Sequence, residues 1–266
     1  MIESIIYGKT PKPPIILLYG QEGVGKSTFA AKAPKTVFIP TEDGLNEIDC
    51  AKFPTVKTYP EFLATLKAVL NEEHDFETLA VDSISATERM LFKYVCERHG
   101  VETIQQANGG YGKGYTEYTN RWGEVLEILS AIREKRNMSI ILIGHSDVKQ
   151  VINPQIGTFD QFQPRLYEKA WKMISEWTDG VFFATRKVRV QKEDAGFNKT
   201  SARTVAVGAD GGERIMNTTG GDNLPFIAKN RFGLPVELPL DWNAFIAAWQ
   251  TSYKVSIHGD STDKKI

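Results

Sequence analysis

The residues with the clearest chemical purpose form the run Gly20-Gln21-Glu22-Gly23-Val24-Gly25-Lys26-Ser27, with Thr28 directly after it. Its spacing, Gly-x4-Gly-Lys-Ser, lets successive backbone N–H groups curl around an anion, because Gly23 and Gly25 tolerate a turn that a side chain would obstruct. A helix starting at the lysine aims its positive end at the same anion. In that arrangement Lys26 reaches the outer phosphates of a nucleotide and the Ser27 hydroxyl ligates magnesium. Residues 20–28 then cradle ATP. A chance glycine turn is the competing reading. An apolar strand before the run and a helical stretch after it speak against that.

Two further places carry acid chemistry. Asp82 closes the apolar run Thr78-Leu79-Ala80-Val81, and a lone carboxylate there is costly unless it is paired or sits near a metal. The position suits a magnesium-side acceptor, while Asp82 or Ser83 can also cap the helix that follows. Glu42 and Asp43 follow another apolar strand, where a carboxylate can orient the water that attacks a γ-phosphate. On the residues alone either can take that role, or both can line a solvated turn.

Positioning these groups requires a particular order of elements. Short β-type runs alternate with helical stretches, which predicts an α/β fold on a mostly parallel sheet flanked by helices. Ile15–Tyr19 is continuously apolar, as expected of a strand covered on both faces. Further strands are expected at Thr36–Ile39, Thr78–Asp82, Ser139–Gly144 and Gly180–Thr185, with helices over Lys26–Lys32, Tyr59–Glu73, Ser83–His99 and Tyr118–Lys135. Lys187–Gln191 and Arg203–Val207 alternate like a hairpin with one wet face. The stretches Gly109–Tyr115 and Lys149–Pro164 read as functional loops. Residues 1–250 are expected to form one domain. After a last helix, Trp242–Trp249, the polar tail 251–266 is expected to be poorly ordered.

Composition narrows the function classes. The chain has 266 residues, 41% hydrophobic and 24% charged, with a formal net charge of -1. No global basic field announces nucleic acid, so any such contact must come from a local patch. No apolar run approaches the roughly 18 to 20 residues that span a bilayer, so no membrane partner and a cytoplasmic location are expected. Cys50 and Cys96 lack metal-ligand spacing and read as packing residues.

The sequence resembles the RecA-type ATPases, and within them the phage RecA-like proteins of single-strand annealing and recombination. The matching segments are Gly20–Ser27, Phe38-Ile39-Pro40-Thr41-Glu42, Leu79-Ala80-Val81-Asp82-Ser83 and Ile141-Leu142-Ile143-Gly144-His145, in the family's order. The resemblance implies a RecA-like phosphate-loop core with ATP and magnesium as cofactors, Ser27 and Asp82 on the metal, and Glu42 as catalytic base. It puts His145 where that family usually has a glutamine sensing the γ-phosphate; this departure leaves the sensor role open. It also implies two loops facing single-stranded DNA, with Tyr111, Lys113, Tyr115 and Tyr118 in one and Phe159, Phe162 and Arg165 in the other; stacking faces beside positive charge suit single strands. Lys187 and Arg189 open the most basic hairpin. Lys229-Asn230-Arg231-Phe232-Gly233 resembles a segment that reaches a neighbour's nucleotide, implying that Lys229 and Arg231 act in trans within a ring or filament. The implied partners are single-stranded DNA, further copies of the chain and a single-strand DNA-binding protein. A nucleotide or small-molecule kinase, an ATP-bound DNA-binding module without turnover, and a helicase or packaging motor are the rival readings.

Overall fold

The computed structural model describes residues 8, 10–194, 200–206, 212–221 and 223–259, and side chains within these except at 189–194, 200–206 and 254–259. Its centre is β1 (Ile15–Gly20), buried at every position. β1 pairs in parallel with β5 (Ser139–Asn153) on one side and β7 (Gly180–Arg186) on the other. Beyond β5 the sheet continues in parallel through β4 (Thr78–Asp82), β2 (Thr36–Pro40) and the short β3 (Ala51–Lys52). Beyond β7 the direction reverses. β10 (Arg214–Asn217), β12 (Glu237–Pro239) and the short β11 (Lys229–Asn230) run antiparallel to their neighbours. An α/β core with a mostly parallel sheet is thus what the alternation of apolar runs and helical stretches specified.

The period-2 alternation of strand side chains divides the core into two layers. Leu17, Tyr19, Ile39, Val81, Leu142 and Phe183 face one way, where α2 (Tyr59–Asn71), α3 (Ile84–His99), α4 (Lys113–Arg136) and α5 (Glu168–Trp177) cover them. Ile16, Leu18, Phe38, Ile143 and Phe182 face the other way, against α1 (Lys26–Ala31) and α6 (Trp242–Gly259). Burial on both faces is why these strands need no polar alternation. Local signals set the helix starts: Thr58 and Glu61 form a reciprocal capping box on α2, and the Ser83 hydroxyl accepts from the Ala86 N–H at 3.2 Å to cap α3.

Three expectations need correction. Lys149–Pro164 is no loop: β5 runs on to Asn153 and pairs antiparallel with β6 (Gly157–Pro164). Backbone pairing along this protruding hairpin satisfies its polar groups without the apolar pattern by which core strands are recognised. The glycine-rich segment ends earlier than expected, since α4 begins at Lys113 and takes Tyr115 and Tyr118 into its inner face. The last helix continues through Gly259, and residues 260–266 lie outside the described set. The alternating stretches after β7 do pair as a hairpin, β8 (Val188–Asp194) with β9 (Thr200–Ala206).

One buried hydroxyl ties distant parts of the chain to the central strand. Tyr19 donates to the Ile227 carbonyl at 2.6 Å, accepts from the Ile227 N–H at 3.0 Å and lies 3.1 Å from the Phe162 carbonyl. β6 and the segment before β11 are thereby fastened to β1. Tyr19→Phe leaves the Ile227 groups without this partner, so unfolding in urea should show a loss of about 1–3 kcal/mol. A variant as stable as wild type would mean that the hydroxyl fastens nothing.

Candidate nucleotide-binding site

β1 delivers the chain to Gly20, whose missing side chain is a packing requirement. A Cβ there would lie 2.1 Å from the Ala184 carbonyl oxygen of β7. The following turn passes through Gly23 and Gly25, both with positive φ, at 71° and 108°, conformations that glycine adopts without strain. α1 starts at once on Lys26. The loop borders a cleft of about 490 Å³ lined by Glu22, Gly23, Gly25–Thr28, Glu42–Gly44, Ile48, Asp82, His145 and Arg214.

Lys26 is 6% exposed. Its ammonium donates to the carbonyls of Gly20 at 2.9 Å and Gln21 at 2.8 Å. Burial pushes it down from its ordinary pKa, and the Asp82, Glu22 and Glu42 carboxylates pull it back up. An anion brought to this position would supply the countercharge that burial makes valuable. Beside it, the Ser27 hydroxyl donates to Asp82 Oδ2 at 2.6 Å. Asp82 ends β4, next in the sheet to β5, and its burial raises its pKa against the opposing effect of that hydrogen bond. The capping alternative falls to Ser83, so the Asp82 carboxylate is left facing the loop.

The Ser27–Asp82 pair also decides whether magnesium fits. Both are hard oxygen donors lining the cleft, and Mg²⁺ is ordinarily held by one or two carboxylates with waters and substrate phosphates. Among the described residues no cluster of three or more His, Cys, Asp or Glu could hold a metal by itself. The donor set therefore suits an ion that arrives with a nucleotide.

The opposite wall is built where β2 ends. The Thr41 N–H donates to the Asp82 carbonyl at 2.7 Å, its hydroxyl donates to the Ser83 carbonyl at 2.7 Å, and the Ser83 N–H donates back to that hydroxyl at 2.9 Å. These bonds clamp the ends of β2 and β4 together and project Glu42 into the cleft. His145, ending the buried part of β5, donates from Nε2 to Glu42 Oε1 at 2.6 Å, and Arg89 of α3 donates to Oε2 at 3.2 Å. The His145 hydrogen bond is the main reason that the Glu42 pKa drops to about 2; Ser83 and Arg89 add to the effect and burial opposes it. With Nε2 committed, His145 Nδ1 is buried without a hydrogen-bond partner, 3.7 Å from Glu22 Oε1. Asp43, the rival to Glu42, also lines the cleft but faces Thr55 at 3.5 Å.

The other expected contacts divide. Tyr111 is fully exposed, and Lys113 is exposed at the start of α4. Arg165 is also exposed; it reaches Glu22 at 3.9 Å and donates to the Ser146 carbonyl at 3.3 Å at the edge of the cleft. Three aromatics expected to offer stacking faces are used inside the protein. Tyr115 stacks on Tyr167 with centroids 4.8 Å apart, Tyr118 stacks on Phe92 at 4.2 Å, and Phe162 stacks on Phe183 at 5.1 Å. Tyr118 also donates to Glu88 at 2.5 Å. Phe159 is half-buried. Lys187 forms an ion pair with Glu237 at 2.5 Å, and the Arg189 side chain lies outside the described set.

Lys229 also needs correction. Its ammonium donates to the Ser175, Glu176 and Thr178 carbonyls at the end of α5, a helix-end capping role. It is not free to reach a phosphate. Arg231 is exposed, but β11 pairs with the start of β7, Asn230 opposite Gly180, whereas the phosphate loop leaves β1 opposite Ala184. Four strand residues, about 13 Å, separate those levels of the sheet. The residue that sequence reasoning missed is Arg214, which lines the cleft from β10; no local motif surrounds it.

A glycine-turned loop between a buried strand and a helix, with its lysine, hydroxyl and strand-end aspartate in one cleft, defines a phosphate-loop nucleotide-binding protein. The chain belongs to the AAA domain family, whose model matches residues 12–232, and this is a family of nucleotide-binding P-loop ATPases. It is similar to the SPbeta prophage-derived uncharacterized protein YorG of Bacillus subtilis (strain 168), 26% identical over 147 residues. That match covers 53% of this chain and 44% of the relative, so the chain spans less than half of that protein.

The lowered Glu42 pKa has a consequence for stability. A carboxyl held at about 2 in the folded chain against an ordinary 4.5 contributes stability that is present above pH 4.5 and is lost as pH falls through the folded value. Glu42→Gln lacks this contribution at neutral pH and has less to lose on acidification. Between about pH 5 and pH 3 its melting temperature should fall less than that of wild type. Parallel declines would show that the His145–Glu42 contact does not stabilise the fold.

Proposed function

We propose that this protein hydrolyses Mg-ATP as a RecA-like ATPase acting on single-stranded DNA in phage-type recombination or strand annealing. The observation that carries the reading is the convergence of Lys26, the Ser27–Asp82 pair and Glu42 on one cleft of about 490 Å³. Lys26 and the loop amides hold the phosphates. Ser27 and Asp82 hold magnesium, which neutralises charge on the phosphate oxygens when bound. Glu42 accepts a hydrogen bond from the attacking water and sets its line of approach. At a pKa of about 2 the carboxylate is a weak base, so orientation rather than early proton abstraction is its main contribution. His145 links that carboxylate to the neighbourhood of Glu22, and its unpartnered Nδ1 suits a sensor of the γ-phosphate.

The strand-annealing part of the reading draws support from the prophage origin of the relative and from the exposed Tyr111, Lys113 and Arg165. Lys187, which pairs with Glu237, and Arg189, whose side chain lies outside the described set, are the further candidates that the sequence offers for DNA contact. A neighbouring copy would bring Arg231, which is too far along the sheet to serve its own cleft. A kinase remains the rival chemistry, and product analysis separates the two, because hydrolysis releases inorganic phosphate whereas a kinase leaves it on an acceptor.

Phosphate release measured with and without single-stranded DNA tests the proposal. Lys26→Ala should weaken ATP binding by about 1.5–3 kcal/mol. Glu42→Gln should still bind ATP while its turnover drops by about 10² or more. Wild-type protein that binds ATP but releases no phosphate in either condition would leave the binding-module reading in place. DNA affinity should fall with salt at a log–log slope of about 0.7 per phosphate contacted.

Action in trans has its own test. Arg231→Ala and Lys26→Ala are each expected to be nearly inactive. A co-assembled mixture contains interfaces that join an intact loop to an intact arginine, so turnover should partly return. A mixture that co-assembles and stays inactive would remove Arg231 from the chemistry.

A further inference from the structure

The cleft is rich in negative charge for a site that must admit a polyphosphate. Glu22, Glu42, Asp43 and Asp82 line it, and Lys26 and Arg214 are the two lysine or arginine side chains that do so. Lys26 is tied by two carbonyls at the loop's own base. Arg214 is not tied: among the described residues no hydrogen bond or ion pair engages its guanidinium. An arginine that lines a cleft with four carboxylates and, among the described residues, pairs with none of them is available to another anion.

Its position is set by the backbone. β10 pairs antiparallel with β7, setting Arg214 opposite Arg186 at the end of the sheet where the loop emerges. The Lys187 N–H donates to the Glu213 carbonyl at 2.7 Å and the Leu240 N–H to the Arg214 carbonyl at 3.0 Å, fixing the strand on both sides. The side chain lies against the loop at Gly25. A Cβ on Gly25 would come within 3.1 Å of Arg214 Nη1 and 3.7 Å of Leu240 Cδ2. The left-handed turn at Gly25 therefore leaves room for the guanidinium beside the start of α1, away from the wall that carries Glu42 and His145.

We propose that Arg214 is a nucleotide-binding residue acting in cis, its guanidinium clamping the part of the phosphate chain nearest the nucleoside. The inference rests on the nucleotide reading of this cleft and adds to it a residue that no motif announces. Arginine's planar fork suits phosphate oxygens. Its place beside Gly25, opposite the Glu42 wall, assigns it to the inner phosphates rather than to the γ-phosphate, where hydrolysis would occur.

The test is equilibrium binding of ATP and ADP to the full chain, by calorimetry, for wild type, Arg214→Ala, Arg214→Gln and Arg214→Lys. The side chain is exposed and, among the described residues, unpaired, so the variants should melt like wild type; this is checked first, and the conservative Arg214→Lys serves if Arg214→Ala fails to fold. Arg214→Ala and Arg214→Gln should weaken ATP and ADP by the same factor, about 10- to 100-fold, and Arg214→Lys should recover part of the loss. Unchanged affinity for both nucleotides overturns the proposal. A loss for ATP alone overturns the inner-phosphate assignment in favour of the γ-phosphate. Wild-type protein that binds neither nucleotide overturns the reading of the cleft itself, and Arg214 falls with it.

Discussion

The hydrogen bond from Ser27 to Asp82 joins the two halves of the site and reports what the fold must support. A carboxylate at the end of a buried strand, with its pKa raised by burial, is destabilising by itself. Its near neighbours, the Ser27 hydroxyl and the Lys26 ammonium, offset part of that cost, and both come from the opening turn of α1. That turn must therefore be placed tightly against the end of β4, although β4 is not β1's neighbour in the sheet. β5 lies between them, paired with both, and its buried residues contribute to the apolar layers on the two faces of the sheet. The apolar layers thus do more than fill the core: they hold the first turn of α1, which follows β1, and the end of β4 so that Ser27 and Asp82 lie 2.6 Å apart.

A second constraint governs the opposite wall. Glu42 is held by His145 and Arg89 while the Thr41–Ser83 bonds fix the strand ends beneath it. Two positively disposed partners stabilise the ionised carboxylate, and the same stabilisation makes it a poor proton acceptor. On the proposed reading, hydrolysis would depend on where Glu42 holds water and on how much phosphate charge Lys26, a bound magnesium and the arginines would absorb. Any event that draws His145 toward the nucleotide would weaken its hold on Glu42 and raise the basicity of the carboxylate. The link between His145 and Glu42 is therefore electrostatic as well as geometric.

The sequence made the phosphate loop, Asp82 and the parallel core legible because each is a local pattern: glycine spacing, an apolar run ended by an acid, alternation of strand and helix. Whatever depended on long-range pairing was harder to see. The hairpin formed by β5 and β6 looked like a loop because its hydrogen bonds, rather than apolar alternation, define it. The spacing of Tyr115, Tyr118, Trp122, Val125 and Leu129 is that of one helical face, a signal of core packing that outweighed the glycine-rich context. Those rings are spent on one another. Arg214 was invisible because antiparallel pairing with β7, across an inserted hairpin, is what carries it to the cleft.

The division of labour among the basic residues follows from where each strand ends. Cations at the end of the sheet where β1 opens into the loop can serve the nucleotide in the same chain, and Lys26 and Arg214 are both there. Cations at the start of β7 cannot. Lys229 of β11 satisfies the carbonyl ends of α5, because a helix that stops in partly buried surroundings needs donors for its last carbonyls. Arg231 follows immediately, with its backbone held by Asp179 and its side chain exposed. The capped lysine thereby fixes the segment that presents the arginine, so the two cations form an anchor and a projecting charge rather than a pair addressing one phosphate. An arginine presented by such an anchor can act on a nucleotide only where another molecule brings one to it, which makes the geometry of assembly, not the reach of the side chain, the deciding variable for its contribution.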